Sequence, residues 1–245
     1  LFDHVLGVSE STREYLFRRG IAINKYATFY DRINLDKFYA GFNRNATDMR
    51  AEFHVVEEQP LIGIVGNIQR WKGQMTVVEA VHLLKEKYPD LKCLMIGDVS
   101  DKTMDDIKFH EELKAQIKAY QLEDDVILTG HRNDIANILN ALDVFIHASI
   151  DPEPYGLVVL EAMSMGKAII ASNEGGPVEM LVDGESGFLV QPADAQELAR
   201  GLDELLSSPQ LRERLGRNAR KRMEEKFSNI DIGYIENLYI RLLSR

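Results

Sequence analysis

A single cysteine among 245 residues excludes an internal disulfide framework, and the apolar neighbours of Cys93 read it as a core thiol. Long hydrophobic runs are absent too. No stretch approaches the roughly 20 apolar residues needed to span a bilayer, and no leader-peptide pattern opens the sequence. Positive charge is in deficit, with 29 Lys and Arg against 39 Asp and Glu, a formal net charge of −10. That balance argues against a general nucleic-acid binder, which needs a basic footprint, while leaving room for a local basic pocket. No Walker-type lysine loop is present and no G-x-G-x-x-G follows a strand, so ATPase and dehydrogenase readings fail.

What is present is a core and a regular alternation. Hydrophobic residues make up 45% of the chain and charged residues 28%. Short apolar runs predict strands at Leu61–Val65, Leu91–Ile96, Val126–Leu128, Val144–Ile146, Lys167–Ala171 and Phe188–Val190. Helical patterns separate or follow them at Met75–Lys87, Asp105–Tyr120, Asn133–Leu142, Leu157–Met165, Val178–Val182 and Ala195–Leu206. Strands alternating with helices of this length predict an α/β fold, a Rossmann-like doubly wound parallel sheet covered on both faces. Ligands of such sheets bind beyond the carboxyl ends of the strands. Gly66, Gly97, Gly130, Ser149 and Asn173 each follow a predicted strand there.

The densest signal is the run from Glu153 to Met163, which sets two carboxylates eight positions apart around a Pro-Tyr-Gly turn. Gly156 admits a close ligand, and Leu157 onward reads as the first turns of a buried helix. The start of a helix offers unpaired N–H groups and the positive end of its dipole, a ready phosphate site. Glu153 falls in the loop before that start and Glu161 about two turns in. One anion pocket with acceptors at two depths suits a sugar carried on a diphosphate. The alternative is a plain strand-to-helix turn with surface glutamates.

The surroundings of this run are similar to the C-terminal, donor-binding portion of the retaining GT-B glycosyltransferases of family 4, which carry E-x7-E. His147-Ala-Ser149 precedes it, Gly166–Ser172 follows as a strand, then Gly175-Gly176-Pro177 with Glu179, and Asp183–Val190. Upstream, Gly66-Asn67-Ile-Gln-Arg70-Trp-Lys72-Gly73 resembles the family's phosphate-binding loop. By this resemblance Lys72 and Arg70 oppose the charge that grows on the departing diphosphate. Glu153 orients the donor sugar and Glu161 accepts hydrogen bonds from the ribose. Gly66, Asn67, Tyr155, Gly156, Leu157 and Val158 complete the donor pocket, with His131 and Arg132 near the base. The family more often has arginine where this chain has Asn67, so Arg70 is the candidate to replace it from three positions on.

The resemblance further implies a GT-B domain with a short tail of its partner domain. Residues 1–38 would close the acceptor domain and form the linker, 39–227 would bind the nucleotide sugar, and 228–245 would be a helix packing back. The N-terminal tail reads as a strand over Val5–Ser9, a helix over Ser11–Arg19 and an extended run over Tyr26–Ile33. A UDP-, GDP- or ADP-sugar is implied as substrate, with no resident cofactor and no required metal. A glycan or lipid-linked acceptor would be held by the half of the enzyme expected to precede this chain. A nucleotide-binding module without catalysis is the alternative. The expected location is cytoplasmic. The basic run from Arg212 to Lys226 reads as a solvated face or as a surface for the inner face of a membrane.

Overall fold

In the computed structural model, residues 5–21, 26–39, 46–99, 103–228 and 232–244 are described. The chain opens with β1 (Val5–Gly7), α1 (Glu10–Arg18) and β2 (Tyr26–Thr28), in which β1 and β2 pair in parallel as a two-stranded sheet. After α2 (Ala46–Glu52) comes the main repeat: β3 (Leu61–Val65), α3 (Gln74–Leu84), β4 (Lys92–Ile96), α4 (Met104–Ala119) and β5 (Val126–Gly130). It continues with α5 (Ile135–Ala141), β6 (Val144–His147), α6 (Leu157–Ser164), β7 (Ala168–Ser172), α7 (Pro177–Met180) and β8 (Phe188–Val190). Helices α8 (Ala195–Ser207), α9 (Pro209–Lys226) and α10 (Ile232–Leu243) follow.

The six strands β3 to β8 form one parallel sheet in the order β5-β4-β3-β6-β7-β8. Successive side chains of a strand point to opposite faces, and a sheet covered on both sides needs both sets apolar. The sequence obeys this. Ile62, Ile64, Cys93, Met95, Val144, Ile146, Ala168 and Ile170 fill one core beneath α3, α4 and α8. Leu61, Leu94, Ile96, Phe145, Ile169 and Ala171 fill the other beneath α5, α6 and α9. Cys93 is fully buried, and burial pushes its thiol pKa up to about 12, as expected of a core thiol. From β3 the chain winds outward through β4 to β5, then returns to lay β6 on the other side of β3. The crevice of a doubly wound sheet opens at this reversal.

Side-chain caps start several of the helices. Ser9, Thr103, Asp194 and Ser208 accept the N–H groups of Thr12, Asp106, Glu197 and Leu211 at the starts of α1, α4, α8 and α9. Ser9 therefore ends the first strand early, which had been expected to run to it. Only Tyr26–Thr28 of the expected extended run pairs as strand. Pro177 starts α7, whose four residues give way to the Asp183–Gly187 turn, so that helix is shorter than its pattern.

The basic helix α9 is partly turned inward. Arg212 donates to the carbonyls of Leu205 and Leu206, Arg220 to Ser164, and Arg222 to Glu179 and Met180. These arginines satisfy the carbonyl ends of α8, α6 and α7. Arg217 and Lys221 pair instead with Glu213 and Glu225 on the same helix. No helix among the described residues is long and apolar enough to cross a membrane.

Leu202 tests the first core, since it is fully buried on α8 and far from the crevice residues. Leu202→Ala is expected to cost about 2–5 kcal/mol. Urea unfolding should show a lowered midpoint at unchanged slope.

Candidate donor-binding site

Adjacent strands bring distant residues together at the mouth of the crevice. Lys72 lies on the single 3-10 turn Arg70–Lys72 after β3, and its stem passes across Gly66. Its ammonium sits 2.6 Å from Glu153 Oε2 and 4.0 Å from the Trp71 ring centroid. His147, at the end of β6, and Ser149 stand 3.4 and 3.3 Å from the same oxygen. Burial alone would raise the pKa of Glu153. The His147 hydrogen bond and the Lys72 charge outweigh it and hold the carboxyl at about 2.

The backbone behind Glu153 is fixed by a close approach that only glycine permits. The Gly176 N–H donates to the Glu153 carbonyl at 2.8 Å. A Cβ on Gly175 would lie 2.3 Å from the Glu153 carbonyl oxygen, and one on Gly176 1.9 Å from that of Tyr155. Gly156 then takes φ 95°, a left-handed conformation that turns the chain into α6. The first N–H groups of α6, those of Leu157 and Val158, have no partner within the helix and face the turn.

Glu161 has the opposite environment. It has no hydrogen-bond partner among the described residues, and burial pushes its pKa up to about 7, with Lys37 the one opposing charge. Lys37 also donates to the Asn133 carbonyl, so the segment between β2 and α2 and the loop after β5 meet beside this carboxylate. Nothing in the sequence had singled out Lys37.

Other expected site residues are less centrally placed. Arg70 turns toward α4, 2.8 Å from Glu112 and above the Phe109 ring, and the structure does not join it to the Lys72–Glu153 cluster. Arg132 grips Asp134 with two hydrogen bonds and reaches Glu52 on α2, nearer to a helix-start brace than to a base contact. Tyr155 is buried and directed at the segment after β2: its hydroxyl donates to the Asp31 carbonyl and its ring stacks on Tyr30. Asn67 and His131 are exposed, the former accepting from Gln74 through its carbonyl. Two contributors were missed. Ser149 stood in a quoted motif without a role, and Glu179, likewise unassigned, accepts the N–H groups of Glu10 and Ser11 and the Tyr30 hydroxyl.

The raised pKa of Glu161 has a thermodynamic consequence. The folded chain holds a proton there that the unfolded chain has released, so stability falls as pH rises from about 4.5 through about 7. Glu161→Gln should remove that slope. Urea unfolding at intervals from pH 5 to pH 8 should show the variant gaining on the parent chain by up to about 3 kcal/mol. Parallel pH profiles would show that Glu161 is not strained.

Comparison with known proteins gives the family. Residues 45–222 match the model of the glycosyl transferases group 1 family. CapM of Staphylococcus aureus, a capsular polysaccharide biosynthesis glycosyltransferase, is 26% identical over 231 residues, 92% of this chain and 58% of that protein. The trehalose synthase of Pyrococcus horikoshii is 34% identical over 177 residues, 71% of this chain and 42% of its own length. The chain thus spans about half the length of these curated relatives. Anabaena HepE, solved in complex with UDP-glucose, superposes with a TM-score of 0.86 at 25% identity, over 98% of this chain and 63% of that one. A Rickettsia africae glycosyltransferase gives 0.85 at 29%, over 97% and 62%. These structural neighbours are GT-B glycosyltransferases, and the chain belongs to the group 1 glycosyltransferase family.

Proposed function

We propose that the chain is the nucleotide-sugar-binding half of a retaining glycosyltransferase, with the acceptor held by a preceding domain. The carrying observation is the pair of carboxylates eight residues apart: Glu153 ionised against Lys72 before α6, and Glu161 unpartnered inside it. The diphosphate occupies the α6 N-terminus, where the Leu157 and Val158 N–H groups and the helix dipole favour negative charge. Glu161 accepts the ribose hydroxyls, and Glu153 accepts a hydroxyl of the sugar and orients it.

In the transfer step the bond from the sugar's anomeric carbon to the diphosphate oxygen breaks, and the electron pair leaves with the diphosphate. An acceptor hydroxyl bonds to that carbon from the same face and passes its proton to the departing phosphate oxygen. Lys72 stands where the leaving charge grows. A fixed cation there is typically worth a few kcal/mol of barrier. Negative charge is met by the helix and by Lys72, so no metal is required. Arg70 adds its charge only after releasing Glu112, an exposed pair that binds weakly.

The acceptor class is a glycan or a lipid-linked saccharide, in keeping with CapM, and the basic face of α9 is a candidate for peripheral contact with a membrane. One observation favours a silent nucleotide-binding module instead: Asn67 stands at the usual arginine position while Arg70 is turned away.

Calorimetry with UDP, GDP and ADP tests the reading, UDP first because HepE was solved with it. Weak saturable binding of one nucleotide is expected. Glu161→Ala should weaken it by about 1.5–3 kcal/mol, the worth of a charge-assisted hydrogen bond. Glu153→Ala should leave nucleotide binding nearly unchanged. No binding to any of the three by the folded chain rules the donor site out, and equal losses in both variants reverse the assigned roles. In a protein of the relatives' length, Lys72→Ala should sharply reduce turnover of the intact donor; unchanged turnover would remove Lys72 from the transfer step, and no turnover by the parent protein would support the silent module.

A further inference from the structure

Every contact of the Glu153 carboxylate falls on one oxygen. Oε2 receives Lys72 at 2.6 Å, Ser149 at 3.3 Å and His147 at 3.4 Å. Oε1 accepts nothing from the described residues and is not among the buried polar atoms left without a partner, so it is open to the crevice. The three contacts on Oε2 differ in permanence. Lys72 reaches it at the end of a flexible stem from a loop. His147 and Ser149 are fixed at the carboxyl end of β6, which is paired with β3 and β7, and they are 4% and 1% exposed.

The proton arrangement follows from the acceptors. A carboxylate only accepts, so the His147 Nε2 must carry a hydrogen, and Ser149 Oγ, 3.3 Å from that nitrogen, accepts from it while donating its own proton to Oε2. His147 Nδ1 is buried and without a partner among the described residues. A buried polar atom left without a partner is unfavourable. The ring is held in an orientation that serves Nε2 and Glu153 and leaves its other nitrogen unsatisfied.

A diphosphate at the α6 N-terminus competes with Glu153 for Lys72, since it carries more charge than one carboxylate and lies within reach of the same ammonium. Without Lys72, Glu153 would sit buried beside an anion, the condition that favours its protonation. A protonated Glu153 is a poorer acceptor for a sugar hydroxyl and offers no charge to the electron-poor anomeric carbon.

We propose that His147 and Ser149 are positioning residues that keep Glu153 oriented and ionised when a bound nucleoside diphosphate draws Lys72 away from it. This rests on the donor-site reading above. Lys72, from the loop after β3, and His147, from β6, act on this carboxyl, and Tyr15, Arg19 and Asp151 line the same pocket. The anchor matters little in the empty crevice, where Lys72 remains, and most in the loaded one.

The test follows the carbon-13 signal of the Glu153 carboxyl, identified by its loss in Glu153→Gln, from pH 7 to pH 5 with and without saturating UDP, or GDP or ADP if one of these binds instead. The parent chain should stay ionised in both states. In His147→Gln, and in the milder Ser149→Ala should the first fail to fold, the signal should move toward the protonated position only, or far more, when nucleotide is bound. Nucleotide affinity itself should change less than threefold. An equal displacement with and without nucleotide reduces the pair to a structural role, and no displacement in either state overturns the proposal. Absence of nucleotide binding by the parent chain is a different outcome: it removes the donor site and this inference with it.

Discussion

Lys72 and Glu153 lie 81 positions apart and meet at 2.6 Å, and that meeting depends on the order of the sheet. β3 ends at Val65 and β6 at His147, and these two strands are neighbours only because the chain reverses direction across β3 after β5. The loops that leave them are tied directly, the Ile150 N–H donating to the Trp71 carbonyl at 2.7 Å. A partly buried ion pair of this kind is costly to form and costlier to break one-sidedly, because the remaining charge is left without compensation. It is therefore weak evidence for a contribution to stability. Its place at the switch point, beside the start of α6, is better explained by what an anion arriving there would do to it.

The segment before the main sheet is fastened to this site rather than merely adjacent to it. Ser9 and Thr12 at the start of α1 both approach the Pro154 carbonyl, one residue beyond Glu153. Glu179 gathers two N–H groups of α1 and the Tyr30 hydroxyl, and Tyr30 stacks on Tyr155 and meets Phe227 edge to face. A negative carboxylate at a helix N-terminus is favoured by the dipole. A displacement of α1 thus acts on the loop that carries Glu153 through hydrogen bonds on one side and ring packing on the other. By contrast, Tyr239, Ile240 and Leu243 on α10 stay largely exposed, an apolar face without a described partner.

The sheet was legible because each strand must be apolar on both faces, a pattern that leaves runs such as Ala168–Ser172 with little ambiguity. Helix α2 was missed, since its residues carry no comparable apolar stripe and it packs through Met49 and the inward arginine Arg50. In the candidate site, Glu153 and Glu161 stand out through their spacing around a Pro-Tyr-Gly turn and Lys72 through its resemblance to a family loop, and the structure brings Lys72 and Glu153 together. Arg70, Arg132 and Tyr155 were read by position alone. Arg70 and Tyr155 are turned by Glu112 and Asp31, which lie 42 and 124 positions away and leave no trace in local spacing, while Arg132 is held between its neighbour Asp134 and Glu52, 80 positions away. Position along the chain tells which loop a side chain belongs to. It does not tell which way a long side chain leans once a partner from another element is available.

The two glutamates of the same short run end with pKa values displaced in opposite directions, Glu153 to about 2 and Glu161 to about 7. Both are largely buried, so burial pushes both upward, and partners alone make the difference. Glu153 has three donors on one oxygen before any ligand arrives. Among the described residues Glu161 has none, and Lys37 is the charge that opposes its burial. A site in which one acceptor is already satisfied and the other waits has one carboxylate whose state is set by the protein and one whose state a ligand can change. Hydroxyl donors placed against Glu161 would draw it toward its ionised form, so binding there carries a proton release that binding at Glu153 does not. The same helix start therefore carries two different carboxylates, one fixed by the protein in the loop before it and one adjustable inside the helix.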